Sequence, residues 1–273
     1  MKKHFLFVAI LIASLLMLTR LAIADSFFVP RATHGIMNYK YKQEFGEVSL
    51  DASFVQSLGA GATLFYSNTG FFVDGYTQKT YNGESENKYT GRDITFDFNE
   101  LNISAGYKFT ESMSLFAGYL ERRINFDFEI PSVGKAVAAI SHEAHGPFIE
   151  ATYTLPLRVG VFSVNVGYAS LAIDNNNIFT FNNKELPIAN FSGSSVFGAS
   201  DAITVGIGWS IPLTKNLSYS LFLNSYKYAT DQFEEKALGF GATFRYQFGF
   251  GGSKSNTSNK VPQWSSKTYM KGW

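Results

Sequence analysis

Leu238-Gly-Phe-Gly-Ala-Thr-Phe-Arg-Tyr-Gln-Phe248 alternates residue by residue along its whole length. Leu238, Phe240, Ala242, Phe244, Tyr246 and Phe248 share one face of an extended chain, while Gly239, Gly241, Thr243, Arg245 and Gln247 share the other. Successive strand side chains point to opposite sides of the backbone, so period two identifies a β-strand. One of its faces suits hydrocarbon and the other a tight polar interior. The segment from Ala202 to Ile211 has the same construction, with Ile203, Val205, Ile207, Trp209 and Ile211 set against Thr204, Gly206, Gly208 and Ser210.

The pattern extends upstream. Ile149, Ala151, Tyr153 and Leu155 alternate with Glu150, Thr152 and Thr154, and Phe162, Val164, Val166 and Tyr168 alternate with Ser163, Asn165, Gly167 and Ala169. Leu217, Tyr219, Leu221 and Leu223 share a face, as do Leu58, Ala60, Ala62, Leu64 and Tyr66. Between Ile94 and Phe109 the phase changes: Ile94, Phe96 and Phe98 occupy even positions, and Leu101, Ile103, Ala105 and Tyr107 odd ones. A β-bulge or a strand start near Asn99 and Glu100 is the expected cause.

Connection lengths also alternate. Short ones fall at Ser67 to Gly70, Thr110 to Met113, Pro156 to Val159 and Pro212 to Asn216; longer polar ones fall at Thr80 to Asp93, Asp127 to Gly146 and Asp174 to Ser200. Outer-membrane barrels pair short periplasmic turns with long external loops. Counting back from a last strand that ends in the periplasm gives ten strands, the first near Gly35 to Phe45, with eight as the alternative. The expected fold is all-β: a transmembrane, up-and-down antiparallel β-barrel. A soluble sandwich or barrel would alternate too. The Gly, Thr and Ser that oppose the Phe, Tyr, Trp and Ile favour a narrow interior over a solvated outer face.

The chain ends constrain the class further. Met1-Lys2-Lys3-His4 is basic, Phe5 to Leu18 is an apolar run of about 14 residues, and Ala22-Ile23-Ala24 is a small-residue stretch. That layout is a signal peptide cleaved after Ala24, since a membrane helix needs roughly 20 apolar residues. Residues 1–24 are thus read as an export signal and 25–248 as the barrel. Removing Lys2, Lys3 and Arg20 takes 23 basic residues to 20 against 22 acidic, a formal charge of −2. No nucleic-acid partner is implied. The chain has no cysteine, so disulfides do not hold it together. Aromatic residues make up 16% of it, including 27 Phe and 15 Tyr, as one-sided apolar strands require.

On these residues a resemblance can be stated. The strand ending in Tyr246-Gln247-Phe248 resembles the last strand of small Gram-negative outer-membrane barrels of the OmpA, OmpW and opacity-protein kind. Gly106-Tyr-Lys-Phe-Thr110 followed by Ser114-Leu-Phe-Ala-Gly-Tyr119 is similar to a strand, periplasmic turn and strand of that group. The likeness covers residues 33 to 250 as a pattern and implies an architecture, not a particular member. It implies residence in the cell outer membrane among its lipids and lipopolysaccharide, and recognition of the last strand by the barrel-assembly machinery. In that group a terminal Phe ends the chain, whereas 25 residues follow Phe248 here. The tail 249–273 is either a periplasmic extension or, in Trp264 to Trp273, a further strand. It is rich in Gly, Ser, Asn and Lys and has no acidic residue, so it reads as a flexible basic segment, with contact to anionic headgroups as the functional alternative.

Chemistry-bearing residues are sparse. His142-Glu143-Ala144-His145 falls in a predicted external loop; it lacks the spacing of zinc hydrolases and reads as a solvated loop edge, so no metal or cofactor is expected. Phe191-Ser-Gly-Ser-Ser-Val196 does not form a nucleophile elbow, and no catalytic residue is assigned. Glu150, Asn165 and Arg245, with Arg122 or Arg123, are expected to face inward as a lumen network or pore lining, because a charge in a narrow barrel needs a partner. The functional expectation is a non-enzymatic, structural barrel that presents surface loops and has a side-chain-filled lumen. A narrow porin-like channel for small polar solutes is the second reading, and a rim hydrolase acting on lipid or peptide the third.

Overall fold

A computed structural model describes residues 26–43, 48–66, 69–81, 83–87, 92–130, 136–181, 184–186, 199–229 and 233–250. The signal-peptide reading of residues 1–24 and the tail beyond Phe250 lie outside them. The strands are β1 (Ser26–Gln43), β2 (Val48–Tyr66), β3 (Phe71–Tyr81), β4 (Gly83–Asn87), β5 (Arg92–Lys108), β6 (Met113–Ile130) and β7 (Ala136–Pro156). They continue with β8 (Val161–Phe181), β9 (Lys184–Leu186), β10 (Ala199–Pro212), β11 (Leu217–Ala229), β12 (Phe233–Tyr246) and β13 (Phe248–Phe250).

All thirteen belong to one sheet. Three are short extensions: β4 follows β3 along β5, β9 folds back on β8, and β13 carries the course of β12 on against β1. The other ten form the wall, each antiparallel to the next. β12 closes on β1 from Arg31↔Arg245 to Gln43↔Phe233. The fold is therefore a closed, ten-stranded, up-and-down antiparallel barrel, and closure leaves no wall strand with an unpaired edge. The first strand starts at Ser26, upstream of the expected Gly35, and the last pairing reaches Phe250.

The short turns are built from their own side chains. Thr110 Oγ1 accepts from the Ser112 and Met113 amides at 3.2 and 3.0 Å, and Thr214 Oγ1 accepts from Asn216 and Leu217 at 3.3 and 3.0 Å. Two other turns close on Gly70 (φ 72°) and Gly160 (φ 90°), where a Cβ would be strained. The long connections are shorter than the sequence suggests. β6 runs to Ile130 and β7 resumes at Ala136, so His142 to Gly146 lies in a strand and not in a loop. The polar residues Ser141, Glu143 and His145 face outward there, and outward polarity on a strand standing above an apolar belt imitates a loop.

The irregularity expected near Asn99 lies in the neighbour of β5 and not in β5 itself: β5 and β6 pair without interruption from Ile94↔Phe128 to Lys108↔Ser114, whereas on the other side the register slips by one residue between Lys79↔Asn99 and Gly83↔Phe96. The phase changes because the partner of the apolar face changes. Leu101, Ile103 and Tyr107 are exposed on the outer wall, whereas Ile94, Phe96 and Phe98 are buried inside. Another irregularity lies between Met37 and Tyr39, opposite Phe54, whose φ of 60° puts a non-glycine residue in the left-handed region.

Two zones follow from this arrangement. Toward the short turns, the outer wall is an apolar belt of exposed Leu, Ile, Val and aromatic side chains. On β12 it runs from Leu238 to Phe248, roughly 34 Å along the strand and about 26 Å when tilted some 40°, matching the ~25 Å band of membrane barrels. Toward the long loops, the outer wall carries the cross-strand ion pairs Lys40–Asp51 at 3.1 Å, Arg123–Glu143 at 2.6 Å and Lys227–Glu234 at 3.0 Å, with Lys236 on β12 itself also reaching Glu234 at 2.8 Å.

Candidate functional site in the lumen

The lumen has two storeys. Above the belt, the inward residues of β1, β2, β5, β6, β7, β8 and β11 are large and apolar. Tyr39, Tyr41, Leu50, Ile94, Phe98, Ile124, Phe126, Leu171, Ile173 and Tyr228 are all buried and form one cluster across the bore. Rings engage ring to ring: Tyr39 with Phe96 at 5.2 Å, Tyr41 with Phe126 at 4.8 Å, and Tyr226 with Tyr228 at 5.1 Å. His142 belongs to this cluster, 1% exposed, edge-on to Tyr41 at 5.8 Å.

Arg122 is the one guanidinium at the base of this plug. It is 4% exposed and donates to Glu100 at 2.5 Å and to Glu235 at 3.2 Å. Its guanidinium lies 4.2 Å from the ring centre of Tyr226, 4.4 Å from Tyr228 and 4.8 Å from Phe98. Two carboxylates and three ring faces thus replace the water that the cation loses. The hydroxyls of Tyr39 and Tyr226 approach the Glu235 carboxylate without closing well-formed hydrogen bonds.

Below the plug, the bore opens into a chamber of about 630 Å³. Its ceiling is Met37, Phe98, Arg122, Tyr226 and Ala237, and its lower lining reaches turn residues Glu111, Ser112, Lys215 and Asn216. The inward positions of β10 and β12 that line it include Gly208 and Gly239, which leave it room. The expectation of a side-chain-filled lumen is thus met only in the upper storey, because a ten-stranded bore is wider than its small lower residues fill.

The four residues assigned to one lumen network all face inward but do not form a single network. Arg122 pairs with Glu100 and Glu235 in the plug. Glu150 faces Asn165 across β7 and β8. Arg245 donates from Nη1 to Ser220 and, at 3.5 Å, to Ser210. Arg123 points outward to Glu143. The reason is height: Arg245 sits at the lower end of β12 and Arg122 at the top of the chamber.

The best-formed lower network involves residues that the sequence did not single out. Arg31 clasps Asp74 through both terminal nitrogens at 2.6 and 2.7 Å and also reaches Thr63 Oγ1 at 3.0 Å; Thr63 donates to Asp74 at 2.5 Å. Arg31 also stands 5.0 Å from the Tyr76 ring centre. Starting the first strand at Gly35 excluded Arg31, and without it Asp74 had no visible partner.

No protein-family model matches the chain, and neither does the sequence of any curated protein. Solved structures do resemble it. The outer membrane protease OmpT from Escherichia coli is 9% identical and aligns over 83% of this chain and 97% of its own, with a TM-score of 0.54. The β-domain of the Bordetella autotransporter BrkA is 12% identical over 82% of this chain and 100% of its own, with a TM-score of 0.47. The attachment protein Ail of Yersinia pestis is 10% identical over 82% and 99%, with a TM-score of 0.33. At such identity the likeness concerns the fold, and the fold is that of the small outer-membrane β-barrels.

Proposed function

We propose that this chain is an integral outer-membrane barrel of the Gram-negative envelope, non-enzymatic and non-conducting, that anchors its loop end at the cell surface. The observation that carries the reading is the dry plug above the belt, where side chains from seven strands meet at exposures of 0–2%. A channel for polar solutes needs a continuous polar path, and the plug interrupts it. The belt, its height and the ion-paired collar above it support insertion with the short turns in the periplasm and the loops outside.

The catalytic activity of the protease OmpT finds no counterpart in the histidines of this chain. His142 and His145 stand on opposite faces of β7, one inside the plug and the other outward, 6.3 Å from the Tyr119 ring. A hydrolytic site needs its base, nucleophile and orienting group on one side of the wall. Planar-bilayer recording of the refolded full chain tests the reading. No discrete openings are expected; openings that vanish when Glu150 or Arg245 is replaced would overturn it in favour of the pore.

A further inference from the structure

Arg31 and Arg245 are direct cross-strand partners on β1 and β12, both facing into the lower chamber. Two guanidinium groups side by side repel each other unless carboxylates are supplied. Asp74 is fully engaged by Arg31 and Thr63. Among the described residues, no carboxylate lies within ion-pair distance of Arg245; its partners are the hydroxyls of Ser210 and Ser220, both met by Nη1. A guanidinium has five N–H donors, so Nε and Nη2 remain available at the chamber wall. This corner therefore holds two positive charges against one negative.

The wall that runs from β2, beside β1, round to β7 on the far side of the bore has different chemistry. Phe65, Phe72, Phe116 and Phe148 form a continuous row, with ring centres 5.4, 6.1 and 6.3 Å apart in sequence. The row crosses β5 at Gly106, where a Cβ would collide with the ring of Phe72 and the Cβ of Phe116. That glycine lets two rings from strands on either side meet above the wall between them. All four rings line the same chamber as Arg245.

We propose that the lower chamber is a binding site for a small amphiphilic carboxylate, entering from the short-turn mouth, with its carboxylate on Arg245 and its apolar body against the phenylalanine row. The chamber's volume falls within the roughly 300–1,000 Å³ usual for small-molecule sites. Arg favours this anion because its planar fork matches a carboxylate through two N–H donors. Glu150 lies in the same chamber but on β7, within the phenylalanine wall, so it opposes an anion there and directs the charged end toward β12. The site does not depend on the plug being impermeable, since the mouth and both walls lie below it.

The probe is benzoate, with benzyl alcohol as its neutral counterpart and inorganic phosphate as a bare anion. Binding is measured by equilibrium dialysis of the full chain in lipid nanodiscs against empty nanodiscs. Saturable benzoate binding is expected, with neither benzyl alcohol nor phosphate competing at equal concentration. Arg245→Gln should weaken benzoate by about tenfold or more, the factor for losing one hydrogen bond to a charged group; Arg245→Lys should retain part of the affinity. Phe116→Ala should weaken benzoate in a barrel that keeps Arg245. Heat-modifiable migration on unboiled gels confirms that each variant is folded. Equal binding of benzyl alcohol would reduce the chamber to an apolar void, and equal competition by phosphate would reduce it to a bare anion site. Unchanged benzoate affinity in both Arg245→Gln and Phe116→Ala would remove the proposal altogether.

Discussion

Arg122 brings a buried positive charge, 4% exposed, to the boundary between plug and chamber, and carboxylates and ring faces answer that charge. Glu100 and Glu235 supply the anions, and Phe98, Tyr226 and Tyr228 supply ring faces. Removing the cation leaves Glu235, itself 1% exposed, without its counter-charge. Breaking a buried pair from one side costs about 3–5 kcal/mol, whereas replacing both members by apolar groups of similar size is often neutral or better. Arg122→Met should therefore lower the guanidinium midpoint of the folded barrel sharply, and Arg122→Met with Glu235→Met should recover most of the loss. If the double variant is as unstable as the single one, the ion pair is not what holds this layer. Arg122 could be read from the sequence as inward-facing, since its parity on β6 matches that of Leu120 and Ile124. Its partner Glu235 could not, because it lies 113 residues away and only the closure of the barrel brings β12 across from β6.

Single strands record where the belt ends. On β8 the apolar residues Val164, Val166 and Tyr168 face outward, and then Ala169, Leu171 and Ile173 face inward. β6 does the same from Met113, Leu115 and Tyr119 to Leu120, Ile124 and Phe126, and β5 runs through the switch in reverse. Each strand keeps its inward and outward parity through the switch, although the β7–β8 ladder lacks its pairs at Gly146 and Pro147 and the β5 register slips by one residue from β3 to β4; what moves is the apolar environment, from outside the wall to inside it. Alternation was therefore enough to identify an all-β barrel and, with the connection lengths, its ten wall strands. It was not enough to place the switch, which on β5 passes for a bulge and on β7 for a loop. The physical cause is that period two reports which face is apolar, not which face is the interior. Arginine substitution along β8 separates the two. Val166→Arg should destabilise the inserted barrel by roughly 2–4 kcal/mol, the penalty for a cation at the bilayer midplane, while Ala172→Arg above the switch should cost under about 1 kcal/mol. Urea titration in lipid vesicles reads both; equal penalties would mean that the belt does not stop at Tyr168.

The whole barrel is asymmetric along its axis: a close-packed plug toward the loops and a chamber of about 630 Å³ toward the turns. A barrel filled along its whole length would be a rigid support, and one open along its whole length a pore. This one is packed toward the loops and hollow toward the turns. The asymmetry follows from composition, since the plug takes Tyr, Phe, Ile and Leu from most strands while the chamber wall takes Gly, Ser and Thr from β8, β10, β11 and β12. Because the chain contains no cysteine, single replacements report access without background. Ser163→Cys places a thiol in the chamber, Ile124→Cys one in the plug, and Ala172→Cys one on the outer wall above the belt. With a membrane-impermeant maleimide applied to intact cells, only Ala172→Cys should be labelled. After the outer membrane is opened to admit reagent to the periplasm, Ser163→Cys should be labelled as well, and Ile124→Cys should react only on unfolding. Labelling of Ser163→Cys in intact cells would mean either that solutes pass the plug or that the barrel sits the other way up. Ala172→Cys distinguishes these outcomes: in an inverted barrel it would be silent in intact cells, and in a leaky one it would be labelled together with Ser163→Cys.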